Sequence, residues 1–291
     1  MVSSLASELC ILYRDSPLAR YAMSTLIYPN LPYFIMRVAC IQLQVEPCRT
    51  EENLSRALQM AGAALAGGAE VLVYPELFLT GFCYEPFSQP HSSDGDDSPY
   101  PLFDRFRALA LEQGCLIIGS LHSGRRNLGF CLDQRGLQLR PKIHPFGEEK
   151  EHFEGGSSIS PVATRWGRAG LQICYDLRFP EVARALALQG ADFLVTVAQF
   201  PLQRRDQWRA LAIARAIENQ MPHLACNWAA GGGSLIIDSR GRVLAEAGSG
   251  QTAILADIDL ADRDQFRREV PCFADRRPEV YGRWDPERTD L

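Results

Sequence analysis

Short apolar runs alternate along most of the chain with longer stretches in which apolar residues recur every three or four positions. The short runs are typical of buried strands, and the longer stretches are typical of helices packed on a sheet. Helices are predicted at 50–67, 102–113, 180–189 and 204–219, and a Gly-, Asp-, Pro- and Ser-rich loop at 85–101. Strands are predicted at 37–43, 70–74, 115–121, 127–133, 137–142, 192–197, 223–227, 234–238, 242–246 and 252–257. Strands that alternate with helices in this way predict an α/β fold.

The first 35 residues depart from this alternation. Residues 1–35 have weak periodicity, three prolines and none of the features of a secretory signal. We predict that they form an N-terminal extension that is disordered or reflects a misassigned start. The alternative is a helix packed on the domain through an apolar stripe of Leu5, Leu9 and Leu12. No interior stretch resembles a linker, so residues 36–291 are predicted to be one domain that includes a C-terminal tail from about residue 263.

The composition is that of an ordinary globular protein. The chain has 46% hydrophobic and 22% charged residues, a net charge of −5 and dispersed Lys and Arg. These values do not suit a nucleic-acid-binding protein, and no apolar run approaches the length of a membrane span. The nine cysteines form no CxxC pair and no cluster with histidine, which argues against a metal site and against a disulfide framework. We therefore predict a reducing, cytoplasmic location and no metal or cofactor.

Cys174 lies at a predicted junction between a strand and a helix. The apolar run 171–173 precedes it, and a helix with Pro180 at its first position follows it. A nucleophile is well placed at such a junction, because nearby backbone N–H groups can bind an oxyanion. The alternative is that Cys174 is a small buried hydrophobic residue, as free cysteines commonly are.

Glu76 and Lys142 follow two other predicted strands. Glu76 lies between apolar neighbours, so partial desolvation is expected to raise its pKa toward the range of a general base. Lys142 can act as a fixed cation opposite developing negative charge. Considered alone, Glu76 is equally well interpreted as a partly exposed loop residue, and Lys142 is better interpreted as an ordinary surface lysine.

Together the three segments resemble the nitrilase superfamily of carbon–nitrogen hydrolases, whose members carry Glu, Lys and Cys in this chain order. The matching motifs are Tyr74-Pro-Glu76, Pro141-Lys142-Ile-His-Pro-Phe146 and Ile173-Cys174-Tyr-Asp-Leu-Arg-Phe-Pro-Glu181. The resemblance covers about residues 36–284. It implies an α-β-β-α sandwich, with two stacked sheets between two layers of helices.

The resemblance also implies catalytic roles. Cys174 is expected to be the nucleophile, Glu76 the base, and Lys142 the oxyanion donor together with the backbone N–H of Tyr175. Many members carry a second Glu after the lysine that positions the substrate amide or the lysine. Counting back from Gly156 favours Glu149, although Glu148 and Glu151 are close by.

The segment around Cys174 is similar to the omega-amidase branch, whose members hydrolyse the terminal amide of small carboxylic acids. Alternative substrates are deaminated glutathione, an N-carbamoyl compound or a nitrile. Arg178 is a candidate for binding a substrate carboxylate, although an ion pair with Asp176 or Glu181 is an alternative. Further candidates for lining the pocket, although aromatic residues are more often part of a plain core, are Phe82, Phe200 and Trp208.

The resemblance further implies a homodimer or larger assembly. The tail from residue 263 is expected to reach the partner, and folding back on its own subunit is the alternative. Its apolar residues are Phe266, Val270, Phe273, Val280, Tyr281 and Trp284. Other classes of function are a Cys–His hydrolase, an amidotransferase subunit and a non-catalytic binding protein. The first needs a histidine held against Cys174, and the second needs a synthetase partner.

Overall fold

The structure, a computed structural model of the chain, describes residues 35–84 and 103–281. In this part of the chain the helices are α1 (Thr50–Ala66), α2 (Asp104–Gln113), α3 (Glu149–His152), α4 (Pro180–Leu188), α5 (Arg205–Asn219), α6 (Leu260–Glu269) and α7 (Pro278–Tyr281). The strands are β1 (Ile35–Gln42), β2 (Val71–Val73), β3 (Leu116–Ser123), β4 (Arg126–Asp133), β5 (Gly136–Pro141), β6 (Val162–Thr164), β7 (Gly167–Ile173), β8 (Phe193–Ala198), β9 (His223–Asn227), β10 (Leu235–Ile237), β11 (Val243–Glu246) and β12 (Thr252–Asp259).

These strands form two mixed sheets. The strand order is β12-β1-β2-β3-β4-β5 in the first sheet and β11-β10-β9-β8-β7-β6 in the second. Each sheet has three adjacent parallel strands at its centre, β1-β2-β3 and β7-β8-β9, and antiparallel strands outside them. The central strands β2, β8 and β9 are buried along their whole length, which explains their continuous apolar sequences.

Apolar side chains from both sheets form one layer between them. This intersheet layer includes Cys40, Val73 and Ile118 from the first sheet and Val195, Val197 and Cys226 from the second. Helices α1 and α2 contribute to the core on the outer face of the first sheet, and α4 and α5 to the cores on the outer face of the second. The molecule is therefore an α/β protein, as the alternation of strands and helices predicted, and has the α-β-β-α sandwich that the family resemblance implied.

The predicted elements agree with the structure to within about two residues at most ends. The sequence did not predict β6, α3, α6 or α7, because each is short or mostly polar and lacks a clear apolar period. It predicted only residues 171–173 of β7. The predicted loop at 85–101, nearly all of the predicted extension at 1–35 and the end of the tail from residue 282 lie outside the described residues.

One cysteine prediction needs correction. Cys48 and Cys83 form a disulfide, whereas six other cysteines of the described chain are free. The bond connects the turn before α1 with the loop that follows Glu76. A backbone hydrogen bond from Cys48 to Thr80 (2.9 Å) holds the same two segments together. The scattered spacing of the cysteines gave no indication of this contact, because it depends on the packing of two loops.

Candidate active site

The site lies where strand ends of both sheets meet. Glu76 follows β2 and Lys142 follows β5 in the first sheet, whereas Cys174 follows β7 and Gln199 follows β8 in the second. Strands β2, β7 and β8 belong to the parallel parts of their sheets. Ligand sites in α/β folds characteristically lie at the carboxyl ends of such strands.

A buried ammonium group joins two buried carboxylates. Lys142 Nζ donates to Glu76 Oε1 at 2.7 Å and to both carboxylate oxygens of Glu149 at 2.7 and 2.9 Å. The three residues are almost inaccessible, at 1%, 0% and 4% relative exposure in that order. Glu149 lies in the one-turn helix α3, and its carboxylate also accepts the backbone N–H of Phe146 at 2.7 Å. Glu148 and Glu151 are exposed.

Two amide side chains complete the surroundings of the carboxylates. Asn127 Nδ2 donates to Glu76 Oε1 at 2.8 Å and to Glu149 Oε1 at 3.4 Å. Gln199 donates its backbone N–H to Glu76 Oε2 at 3.1 Å and its side-chain amide to the Glu76 carbonyl at 2.8 Å. The sequence interpretation missed both residues, since one polar residue at the end of a strand gives no motif. The polar start of β4, inside an otherwise apolar strand, was the only signal for Asn127.

Cys174 lies at a sharp turn beside these groups. Its φ of 49° is in the left-handed region, and it begins a 3₁₀ turn, Cys174–Arg178, that leads toward α4. The charge of the Glu76 carboxylate acts on its thiol. Burial and the charge of Glu76 raise the pKa of the Cys174 thiol well above its usual value, and the opposing effect of Lys142 is smaller. The resting sulfur is therefore a neutral thiol, and forming the thiolate requires transfer of its proton.

The ammonium group keeps its charge in spite of its burial. Burial alone would lower the pKa of Lys142, but the charges of Glu76 and Glu149 raise it above its usual value. Burial and the charge of Glu76 raise the pKa of Glu149, and Lys142 opposes them. The site thus combines a permanent cation with carboxylate oxygens next to a thiol. This arrangement suits proton transfer from sulfur and stabilisation of an anion.

The histidine that follows Lys142 has a supporting contact. His144 stacks on Phe179 with ring centroids 3.7 Å apart, and its Nδ1 lies 2.9 Å from Asp176 Oδ1. Asp176 also accepts the backbone N–H groups of Ile173 (3.1 Å) and His144 (2.9 Å). It therefore fixes the turn that carries Cys174 against the segment after Lys142.

Arg178 makes neither of the ion pairs considered for it. It donates to Gln207 at 2.8 Å and its guanidinium lies over the ring of Phe200 at 5.1 Å. Within residues 35–84 and 103–281, no carboxylate lies within ion-pair distance of it. Its remaining N–H groups are thus free of competing acids in the described chain.

The aromatic candidates fall into two groups. Tyr175 lies beside Phe146 with centroids 4.6 Å apart, and Phe82 is half-buried next to Tyr84. Burial, and then the charge of Glu149, raise the pKa of Tyr84 to about 12, which indicates how near this residue lies to the carboxylates. Trp208 lies in a core cluster, which is the alternative that the sequence left open for it. Its side chain is fully buried in the core between α5 and the second sheet, and its indole N–H donates to the Gly233 carbonyl at 2.7 Å.

Phe200 is also buried and packs on Trp208, so only its face toward Arg178 is directed away from this core. No group of three or more His, Cys, Asp or Glu in the described residues has the arrangement of a metal site. No helix in the same residues is long and apolar enough to cross a membrane.

Comparison with known proteins agrees with this geometry. Residues 37–268 match the carbon–nitrogen hydrolase family. The 2-oxoglutaramate amidase of Bacillus subtilis (strain 168) is 32% identical over 260 residues, which cover 84% of this chain and 98% of that protein.

Two solved structures share the fold. Nit3 of Saccharomyces cerevisiae, a member of branch 10 of the nitrilase superfamily that is named omega-amidase, has a TM-score of 0.74 and 27% identity. This match covers 84% of the present chain and 97% of Nit3. A mutant amidase from Nesterenkonia sp. AN1 carries the acetamide moiety of fluoroacetamide covalently added at its active site cysteine. It has a TM-score of 0.72 and 27% identity, and the match covers 86% of this chain and 97% of that one. With its family match, its nitrilase fold and these relatives, the chain belongs to the carbon–nitrogen hydrolase family of the nitrilase superfamily, and it is a hydrolase acting on carbon–nitrogen bonds.

Proposed function

We propose that this hydrolase releases ammonia from the terminal amide of a small carboxylic acid, as omega-amidases do, through a thioester on Cys174. The observation that carries this proposal is the Lys142 ammonium group, which is bonded to Glu76 and Glu149 beside the Cys174 thiol. The names of the relatives, 2-oxoglutaramate amidase and omega-amidase, support the substrate class.

The first half-reaction begins at the neutral thiol. Because the pKa of Cys174 is raised, its proton passes to Glu76 as the sulfur attacks the amide carbonyl carbon. The carbonyl oxygen becomes an oxyanion, and the proposed donors to it are Lys142 Nζ and the backbone N–H of Tyr175. The carbon–nitrogen bond then breaks, the nitrogen takes the proton from Glu76, and ammonia leaves.

The second half-reaction uses the same groups in reverse. Water attacks the thioester carbon and gives a proton to Glu76. The carbon–sulfur bond breaks, the proton returns to sulfur, and the carboxylic acid is released. Glu149 holds the Lys142 ammonium throughout, since both of its carboxylate oxygens are bonded to it. The adduct on the cysteine of the Nesterenkonia amidase supports the role of Cys174.

We assign recognition of the substrate's distal carboxylate to Arg178. Its guanidinium is half-exposed, has no described acid as a partner and follows the nucleophile by one short turn. A guanidinium in this state can bind a carboxylate through two hydrogen bonds. Tyr175 and Phe82 are the aromatic side chains proposed to line the pocket beside it.

The test is an ammonia-release screen on matched pairs of amides. Mono-amides of dicarboxylic and oxo-acids are compared with the corresponding neutral diamides, and with deaminated glutathione, an N-carbamoyl compound and a nitrile. We expect turnover of the mono-amides, and Arg178→Met is expected to lower kcat/KM for them by about 10- to 100-fold with little effect on neutral amides. Arg178→Lys, which keeps the charge, serves as the control. Equal turnover of diamides and mono-amides by the unchanged enzyme would contradict the assignment.

We also propose a homodimer and a cytoplasmic location. The proposal for the dimer now rests on the exposed apolar residues of the tail, Val270, Val280 and Tyr281. Phe266 and Phe273 do not support it, because they fold back beneath Arg240 and between Arg184 and Arg267 of their own subunit. Six free cysteines in the described chain suit a reducing location, although the Cys48–Cys83 bond does not. Light scattering that gave a monomer at micromolar concentration would defeat the dimer.

A further inference from the structure

Asn127 lies at the start of β4 and is one of the few buried polar side chains that face the carboxylate pair. Its Nδ2 is bonded to Glu76 Oε1 at 2.8 Å and lies 3.4 Å from Glu149 Oε1. The two N–H bonds of one amide nitrogen thus point to two different carboxylates. We infer that Asn127 is a positioning residue, whose amide holds the Glu76 and Glu149 carboxylates in their reactive arrangement without neutralising them. This inference rests on the proposed function, in which Glu76 is the base.

The side-chain amide of Asn127 donates hydrogen bonds only to the two carboxylates of the site among the described residues. Among the described residues, its only partners are the two glutamates, and Asn127 Oδ1 has no partner although it is buried. A residue retained to support the strand would be expected to use its oxygen as well. The orientation of the amide also follows from these contacts. Rotating it by half a turn would place its oxygen next to a carboxylate oxygen, with no hydrogen between them.

The balance of charge explains why an amide serves here. Two carboxylates, Glu76 and Glu149, share one ammonium group, Lys142, so the cluster carries an excess negative charge away from water. A second cation would stabilise the excess charge but would also weaken Glu76 as an acceptor of the thiol proton. The neutral N–H groups of Asn127 stabilise the same charge and leave Glu76 basic.

The geometry around Glu76 gives the amide a second effect. Oε1 of Glu76 is occupied by Lys142 and Asn127, and Oε2 accepts the backbone N–H of Gln199 at 3.1 Å. These three donors fix the plane of the carboxylate, whose charge acts on the Cys174 thiol. Without Asn127 the carboxylate loses the donor that comes from β4, and it can rotate about its last bond.

The experiment measures the reactivity of Cys174 without any amide substrate. Native enzyme is alkylated at pH 7 with 2-iodoethanol, which carries no amide group. It is then digested, and the labelled fraction of the Cys174 peptide is followed by mass spectrometry. The variants are Asn127→Leu, which keeps the size, with Asn127→Ala and Asn127→Ser beside it. Asn219→Leu is the matched control. Asn219 is also buried with an unpartnered Oδ1, but its amide donates to the Arg215 carbonyl at the end of α5.

We expect Asn127→Leu and Asn127→Ala to slow alkylation about 10- to 100-fold, the loss typical of a hydrogen bond to a charged group. On the amide substrate they should lower kcat by a similar factor and leave KM within about twofold, because the residue acts on the base and not on the substrate. Asn127→Ser, which keeps a donor, should lie between them and the unchanged enzyme. Asn219→Leu should alkylate at the unchanged rate.

Each other outcome is also informative. Wild-type alkylation rates in the folded Asn127 variants would overturn the inference, and so would a rise in KM at constant kcat. Failure of all three variants to fold would assign Asn127 to the structure alone and overturn it as well. Normal alkylation of the unchanged enzyme without turnover of any amide would defeat the proposed substrate and leave the role of Asn127 intact. An unreactive Cys174 in the unchanged enzyme would defeat the proposed function itself.

Discussion

Replacing Lys142 by Met should destabilise the protein in a way that depends on pH. The substitution keeps an unbranched side chain but leaves Glu76 and Glu149 without the ammonium that both contact at 2.7 Å. All three side chains are buried, at 1%, 0% and 5% exposure, so water cannot replace the lost cation. Removal of one partner from a buried ion pair typically costs about 3–5 kcal/mol, and we expect that loss at neutral pH.

The sign of the pH dependence follows from Glu149. Its pKa is already raised by burial and by Glu76, and Lys142 is the main group that opposes the rise, so the variant raises it further. A carboxyl group with a raised pKa in the folded state stabilises the fold at low pH, and the stability is lost as pH rises through that pKa. One additional bound proton corresponds to about 1.4 kcal/mol per pH unit. Between pH 5.5 and 7.5 the variant should therefore lose up to about 2–3 kcal/mol relative to the unchanged enzyme.

Urea denaturation at the two pH values measures this difference. Lys142→Met combined with Glu149→Gln removes one of the competing charges and should restore most of the stability and abolish the additional slope. Lys150→Met, which removes an exposed lysine in α3, is the control and should change little. Turnover by Lys142→Met should fall by about two to three orders of magnitude. An equal loss of stability at both pH values, with no recovery in the double variant, would refute the reasoning.

The remaining predictions concern the nucleophile, the base, the disulfide and a core histidine. Cys174→Ala should abolish turnover with the fold intact, and Glu76→Gln should remove proton transfer with little loss of substrate affinity. Circular dichroism would check that each variant is folded, and kinetic assays would measure its turnover. A folded variant of either residue with unchanged turnover would contradict the role given to that residue. Reduction of the Cys48–Cys83 bond, which links residues 35 positions apart, should lower the free energy of unfolding by about 3–4 kcal/mol, and a thermal melt unaffected by reductant would contradict this. Burial lowers the pKa of His223 from 6.5 to about 4. The contribution of neutral His223 to the free energy of unfolding is therefore complete above pH 6.5 and is lost as pH falls toward 4. Between pH 7 and pH 5 the His223→Gln variant should therefore lose about 2 kcal/mol less stability than the unchanged enzyme, as measured by urea titrations.

The sequence predicted those elements whose burial is recorded in a clear apolar pattern. Strands such as β8 and β9 are apolar throughout because both of their faces are buried, and α5 has a clear apolar period because one side lies on the sheet. Cys174, Glu76 and Lys142 could be selected as candidates because each lies at the end of a predicted strand. Their approach to one point could be expected only from the family resemblance.

The rest depended on the path of loops. Three glutamates follow Lys142 closely, and the turn at Gly147 with the short helix α3 determines that Glu149 points to the ammonium. No apolar period marks that turn. The sequence left Trp208 open between core and pocket, because an aromatic residue at the start of an amphipathic helix has the same pattern in both.

The division of the site between the two sheets has a consequence for residues far from the chemistry. Glu76 and Lys142 follow strands of one sheet, and Cys174 follows a strand of the other. The separation of base and nucleophile therefore depends on the spacing of the two sheets, which is about 10 Å in sandwiches of this kind and is maintained by the intersheet layer. Gln199 crosses that gap to Glu76 at 3.1 Å and acts as a local spacer. The methyl and thiol groups packed between the sheets therefore determine how far apart the base and the nucleophile lie. An added methylene there changes the reach of its proton transfer, even where the fold tolerates it.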